Sequence, residues 1–87
     1  MTKKEKFNAF RRICRKLGKE ASAGVRVATL HETQNGIPFS GVSLHGFLCD
    51  IQWVEHRLYE EAEKNGWHLY TQKNTTGWEI WFDTEDE

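Results

Sequence analysis

Three of the four tryptophans in this 87-residue chain fall between positions 67 and 83, in two alternating runs that flank the turn Asn74-Thr75-Thr76-Gly77. A period of two sends successive side chains to opposite faces of a strand, and Asn and Gly at the junction suit a reversal. A hairpin with strands over 67–73 and 78–83 is therefore expected. A four-residue turn sets Lys73 opposite Trp78, and by extension Tyr70 opposite Trp81 and Leu69 opposite Phe82. One face then carries Trp67, Leu69, Thr71, Trp78, Ile80 and Phe82, which is bulk enough for a core. The other carries His68, Tyr70, Gln72, Glu79 and Trp81, so Tyr70 and Trp81 are expected side by side on the open side of the sheet.

Upstream, Thr2 to Glu5 has the capping-box pattern. Phe7, Phe10, Cys14, Leu17 and Ala21 follow at steps of three and four, with Ile13 beside them, which predicts an amphipathic helix. Gly18 could end it, or it could continue towards Ser22. Residues 25–33 alternate and are β-branched, Asn35-Gly36 favours a type I′ turn, and 37–44 reads as the return strand. Pro38 lacks a donor and Gly41 invites a bulge, so this strand is expected at an edge of the sheet. Phe47, Ile51, Val54, Leu58 and Ala62 form a second helical stripe. Its cap is expected at Asp50, or the helix starts nearer Ser43. Asn65-Gly66 stops it.

The order is α-β-β-α-β-β. The expected fold is α+β, a single small domain over 1–87 in which two hairpins join into one antiparallel sheet with both helices packed on one face. The acidic tail, 83–87, is expected to fray. A chain of this length buries roughly 60–65% of its extended surface. An aromatic content of 13% supplies much of the apolar area and excludes a disordered segment.

Charge is distributed unevenly. Residues 1–20 hold eight basic and two acidic side chains, a net +6, whereas 21–87 hold four basic and eleven acidic, a net −7. On a helix of about 100° per residue, Lys4, Arg11, Arg12, Arg15, Lys16 and Lys19 share one face opposite the apolar stripe. That face could meet phosphates, an acidic protein or another anionic surface, or stay solvated beside Glu55, Glu60, Glu61 and Glu63 of the second helix.

The element order loosely resembles that of winged-helix domains, which implies a second helix lying in the major groove. Its four glutamates would repel phosphate, and the hairpin tip offers only Lys73.

No apolar run approaches the ~20 residues that span a bilayer, and the Lys-rich start lacks the apolar core of a signal peptide. Two cysteines make a weak disulfide framework, so Cys14 and Cys49 are expected to be thiols in a reducing cytoplasm. If one helix ran over 45–56, His45, Cys49 and His56 would lie within about 40° of arc, a spacing that suits zinc. Gly46 and Asp50 argue for a break there, so no metal site and no cofactor are expected. No phosphate loop, nucleophile elbow or paired acids mark an enzyme.

The reading is a small non-catalytic interaction module, regulatory or inhibitory in kind, that binds another protein through Tyr70, Trp81 and His68 or through the cationic helix. Nucleic-acid binding by that helix is the alternative, and a zinc-stabilised domain the third. An uncovered aromatic sheet face also fits a homodimer. Size and lack of motifs suggest a phage or mobile-element origin.

Overall fold

The computed structural model describes residues 2–34, 37–74 and 77–83, and the side chains of all of these except 3, 31–34, 37–39 and 83. The turns at Asn35-Gly36 and Thr75-Thr76 and the tail beyond residue 83 lie outside the described residues. The elements are α1 (Lys3–Glu20), β1 (Arg26–Gln34), β2 (Ile37–His45), α2 (Leu48–Asn65), β3 (His68–Lys73) and β4 (Trp78–Asp83). All strand pairs are antiparallel, in the order β1-β2-β4-β3, and both helices cover one face of the sheet. Asp83 belongs to β4, opposite His68, so the frayed-tail expectation is corrected at that position.

Half of the expected capping box forms, the Glu5 N–H donating to Thr2 Oγ1 at 3.2 Å, while the Glu5 carboxylate accepts from the Thr2 hydroxyl at 3.1 Å. Helix α1 runs through Gly18 to Glu20, and the Ala21 N–H donates to the Leu17 carbonyl. Gly18 is there for closeness rather than termination. A Cβ at that position would stand 2.7 Å from the Val25 carbonyl oxygen and 3.1 Å from a Val27 methyl, and the Val25 N–H donates to the Gly18 carbonyl at 2.8 Å. Helix α1 therefore rests directly on the start of β1.

Helix α2 begins at Leu48 with Phe47 as its cap, which corrects both proposed starts. Phe47 leaves the apolar stripe and is 70% exposed. Asp50 sits in the first turn, where the helix dipole favours a carboxylate. It is buried and accepts a hydrogen bond from the Ser22 hydroxyl at 2.8 Å, which ties the start of α2 to the end of α1. Gly66 ends α2 in the left-handed conformation, as Asn65-Gly66 implied.

The core lies between helices and sheet. Phe10, Cys14, Val42, Leu44, Val54, Leu58 and Ile80 are fully buried in it, each contributing about 1.5–3 kcal/mol where the side chain is a large aliphatic or aromatic one. Phe7, Phe10, Trp67 and Phe82 form a ring cluster with centroids 5.5–6.3 Å apart. The predicted core face of the closing hairpin is borne out, with Trp78, Ile80 and Phe82 buried and Trp67 and Leu69 packed against them. Its register is also as expected, Tyr70 opposite Trp81 and Lys73 opposite Trp78.

The edge assignment of β2 is overturned, since it lies between β1 and β4. Its pairing with β4 covers Ser40 to Leu44, and Pro38 falls beyond that stretch, where its missing donor breaks no bond to β4. Gly41 makes no bulge, because the ladder with β1 is continuous on either side of it.

Candidate binding surfaces

On the sheet face away from the helices, one row runs across all four strands. Leu30 pairs with Gly41, Gly41 with Trp81, and Trp81 with Tyr70. Directly opposed residues share a face in an antiparallel ladder, so the side chains of Leu30, Trp81 and Tyr70 stand on one face, with Gly41 between the first two. Gly41 leaves the width of a side chain empty, and the Trp81 indole fills it. Its Cε3 would lie 2.9 Å from a Cβ at position 41. Trp81 is only 4% exposed as a result. The expectation that it stands uncovered beside Tyr70 is corrected: the two are neighbours, but the chain itself buries the indole. Tyr70 remains 45% exposed and His68 is also exposed. In the next row Ser43 is buried, with its Oγ 2.8 Å from His45 Nε2.

A second candidate surface is the cationic face of α1. Gly18 marks the side of α1 that touches β1. At about 100° per residue, Arg11, Lys4 and Arg15 lie within about 60° of Gly18 around the helix, Arg11 half-buried and the other two exposed. Arg12, Lys16 and Lys19 follow towards solvent and are exposed. Among the described residues the ion pairs lie within α2, Lys64 with Glu61 at 3.7 Å and His56 with Glu60 at 3.3 Å. None of the six α1 cations pairs with a described acidic side chain. The screening that Glu55, Glu60, Glu61 and Glu63 could have supplied is not made by direct contact. Helix α1 packs on β1 and β2 and helix α2 on β3, and the two helices also pack against each other.

A third surface was not read from the sequence. Two adjoining hollows of about 460 and 480 Å³ lie between α2 and β3 and share His56, Tyr59 and Leu69. The Tyr59 hydroxyl and Thr71 Oγ1 meet across them at 3.0 Å. Glu55, Glu60 and Glu63 stand along the helix side, and Tyr70, Thr71 and Lys73 along the strand side. Spacing alone could have shown Tyr59 to lie off the apolar stripe, but not which strand it would face.

The arc of His45, Cys49 and His56 does not form. His45 ends β2, and the helix that carries Cys49 and His56 starts three residues later. Among the described residues no group of three or more His, Cys, Asp or Glu side chains is placed to hold a metal, and no helix is long and apolar enough to cross a membrane.

The cysteines differ sharply in surroundings. Cys49 is exposed on α2, whereas Cys14 is buried among apolar side chains, and burial pushes its thiol well up. In the folded chain Cys14 stays protonated where the unfolded chain would ionise it, from about pH 9 upwards. The stability this contributes is full below that pH and is lost as pH rises above it. A disulfide-exchange reagent at pH 8 is expected to titrate one thiol in native protein and the second only in denaturant. Release of two equivalents without denaturant would place Cys14 at the surface.

Compared with protein-family models, with curated proteins and with solved structures, the chain matches none of them.

Proposed function

We propose that the chain is a non-catalytic interaction module, regulatory or inhibitory in kind, that docks an acidic patch of another protein on the outer face of α1. The observation that carries this reading is the absence, among the described residues, of any ion pair to Lys4, Arg11, Arg12, Arg15, Lys16 or Lys19. Six cations kept on one 18-residue helix repel one another. That cost is offset when an anionic surface arrives, and the long-range attraction also raises the association rate.

A bounded acidic patch suits this face better than a nucleic-acid duplex. A duplex carries a charge about every 1.7 Å and extends past the contact. It would run on beside a chain whose remaining 67 residues carry a net −7. Nucleic acid stays as the second reading because the same six cations would also bind phosphate.

The test is affinity capture from the source cell with wild-type protein and with the Arg11→Glu/Arg12→Glu/Arg15→Glu variant, at low and at high salt. The three positions are half-buried or exposed, and the fold is expected to survive the change. Wild type should hold a protein that the variant releases, and about 0.5 M salt should release it from wild type, where the Debye length shrinks to a few ångströms. Equal capture by the variant would sink the α1 reading. Titration with a short labelled duplex at physiological salt is the parallel arm, and tight binding there with no captured protein would favour nucleic acid.

A further inference from the structure

We infer that β3 accepts an additional strand, supplied by an extended, basic segment of a partner protein that lies in the groove between β3 and α2. Strand β3 is an edge of the sheet. The direction of its free backbone groups follows from the turn. The Asn74 N–H donates to the Gly77 carbonyl at 3.0 Å, so the N–H and C=O of Asn74 point at β4. Backbone groups alternate along an antiparallel strand. Those of Gln72 and Tyr70 therefore also point at β4, and those of Leu69, Thr71 and Lys73 point away from the sheet. These three N–H and C=O pairs, at alternate positions, are the pattern a further strand would match.

Nothing built into β3 blocks such pairing. Its sequence His68-Leu-Tyr-Thr-Gln-Lys73 has no proline and no glycine, and its pairing with β4 is continuous without a bulge. Its one fully charged residue, Lys73, is at the end, with Nζ folded over the Trp78 ring at 4.3 Å. The usual protections of an edge, an interior lysine, proline or bulge, are missing.

Charge selects the occupant. Side chains of an added strand would alternate between the α2 side and the Tyr70 side. On the α2 side they would meet Glu55, Glu60 and Glu63, with His56 between them. Lysine or arginine at every second position complements that wall, and β-branched residues in between suit the Tyr70 side. A second copy pairing through its own β3 would instead bring the two α2 helices together with three glutamates each, and like charges at that spacing repel. This surface is separate from α1, so its failure and that of the α1 reading are read independently.

The probe is a capped heptapeptide of alternating lysine and valine, with a glutamate-valine counterpart, titrated into the isotope-labelled full chain. The lysine peptide is expected to slow hydrogen exchange at the Leu69, Thr71 and Lys73 amides, and the glutamate peptide to leave them unchanged. Thr71→Pro removes the central outward donor and is tolerated on a solvent-facing edge. It should weaken binding by about tenfold, since the central hydrogen bond is lost and the ring also blocks approach. Thr71→Val removes the same hydroxyl contact to Tyr59 but keeps the donor, and should bind as wild type does. Should the proline variant not fold, amide protection in the wild-type chain decides alone. Binding without protection at those three amides, equal binding of both peptides, or no binding at all would overturn the inference. So would protection that appears without peptide and grows with protein concentration, which would assign the edge to a second copy.

Discussion

Trp81→Ala is expected to destabilise the domain by about 3–5 kcal/mol, the usual cost of removing a buried tryptophan. At about 4–8 °C per kcal/mol for a domain of this size, the melting temperature should fall by well over 10 °C. The cost arises on the face of the sheet that carries no helix. There the indole lies over Gly41 and is 4% exposed, although it takes no part in the core between helices and sheet. A tryptophan held ready as a binding anchor would behave differently, because truncation at an exposed position shifts stability by about 0.5 kcal/mol or less. Urea and thermal melts of the single variant separate the two cases. A near-wild-type melt would return Trp81 to the list of binding residues. Tyr70→Ala, at a 45% exposed position in the same row, should cost far less and provides the comparison.

Gly41→Val should cost about 3 kcal/mol or more, at or beyond the upper end of ordinary overpacking. The new Cβ would stand 2.6 Å from the Ile80 carbonyl oxygen, 3.1 Å from Trp81 Cα and 2.9 Å from Trp81 Cε3. Two of these three neighbours are backbone in a central strand and cannot turn aside. The double variant Gly41→Val/Trp81→Ala therefore relieves one clash of three, and it should be no more stable than Trp81→Ala alone. If the double variant recovers stability, the ring alone sets the limit at position 41, and the spacing of β2 and β4 is more compliant than these contacts indicate.

These two expectations move the functional question. In the row Leu30-Gly41-Trp81-Tyr70 the chain itself buries Trp81, so the burial of that indole calls for no partner. Of the three residues assigned to a protein contact on the closing hairpin, Tyr70 and His68 are exposed and Trp81 is not. What remains open lies at the two ends of the sheet, with cations over β1 and the acid-lined groove beside β3. The cationic face of α1 lies at the β1 side, and Glu55, Glu60 and Glu63 line the groove beside β3.

Local rules carried most of the architecture. The period-two runs at 67–83 specified β3, β4 and their register, because a four-residue turn leaves one way to face core side chains inward. The stripes at Phe7, Phe10, Cys14 and Leu17, and at Ile51, Val54, Leu58 and Ala62, specified both helices and their buried faces. Thr2 and Gly66 acted at their termini as capping chemistry requires. Two readings went astray. Gly41 looked like a bulge but makes room for an indole. Phe47 looked like core, although the helix begins only after it. At Gly18 the continued helix, one of the two ends the sequence left open, is the one that forms, and the glycine makes room for Val25.

The sequence by itself determined the elements, their faces and the segregation of charge, because each depends on residues within a few positions of one another. Only the tertiary structure decided which strand is central, what covers Trp81 and which helix faces which edge. Those outcomes depend on β2 meeting β4, a pairing of segments about 40 residues apart. No local period encodes that pairing. It is set by which hairpin faces can be buried together, and by the one position, Gly41, where two strands and an indole must fit where a side chain would otherwise stand.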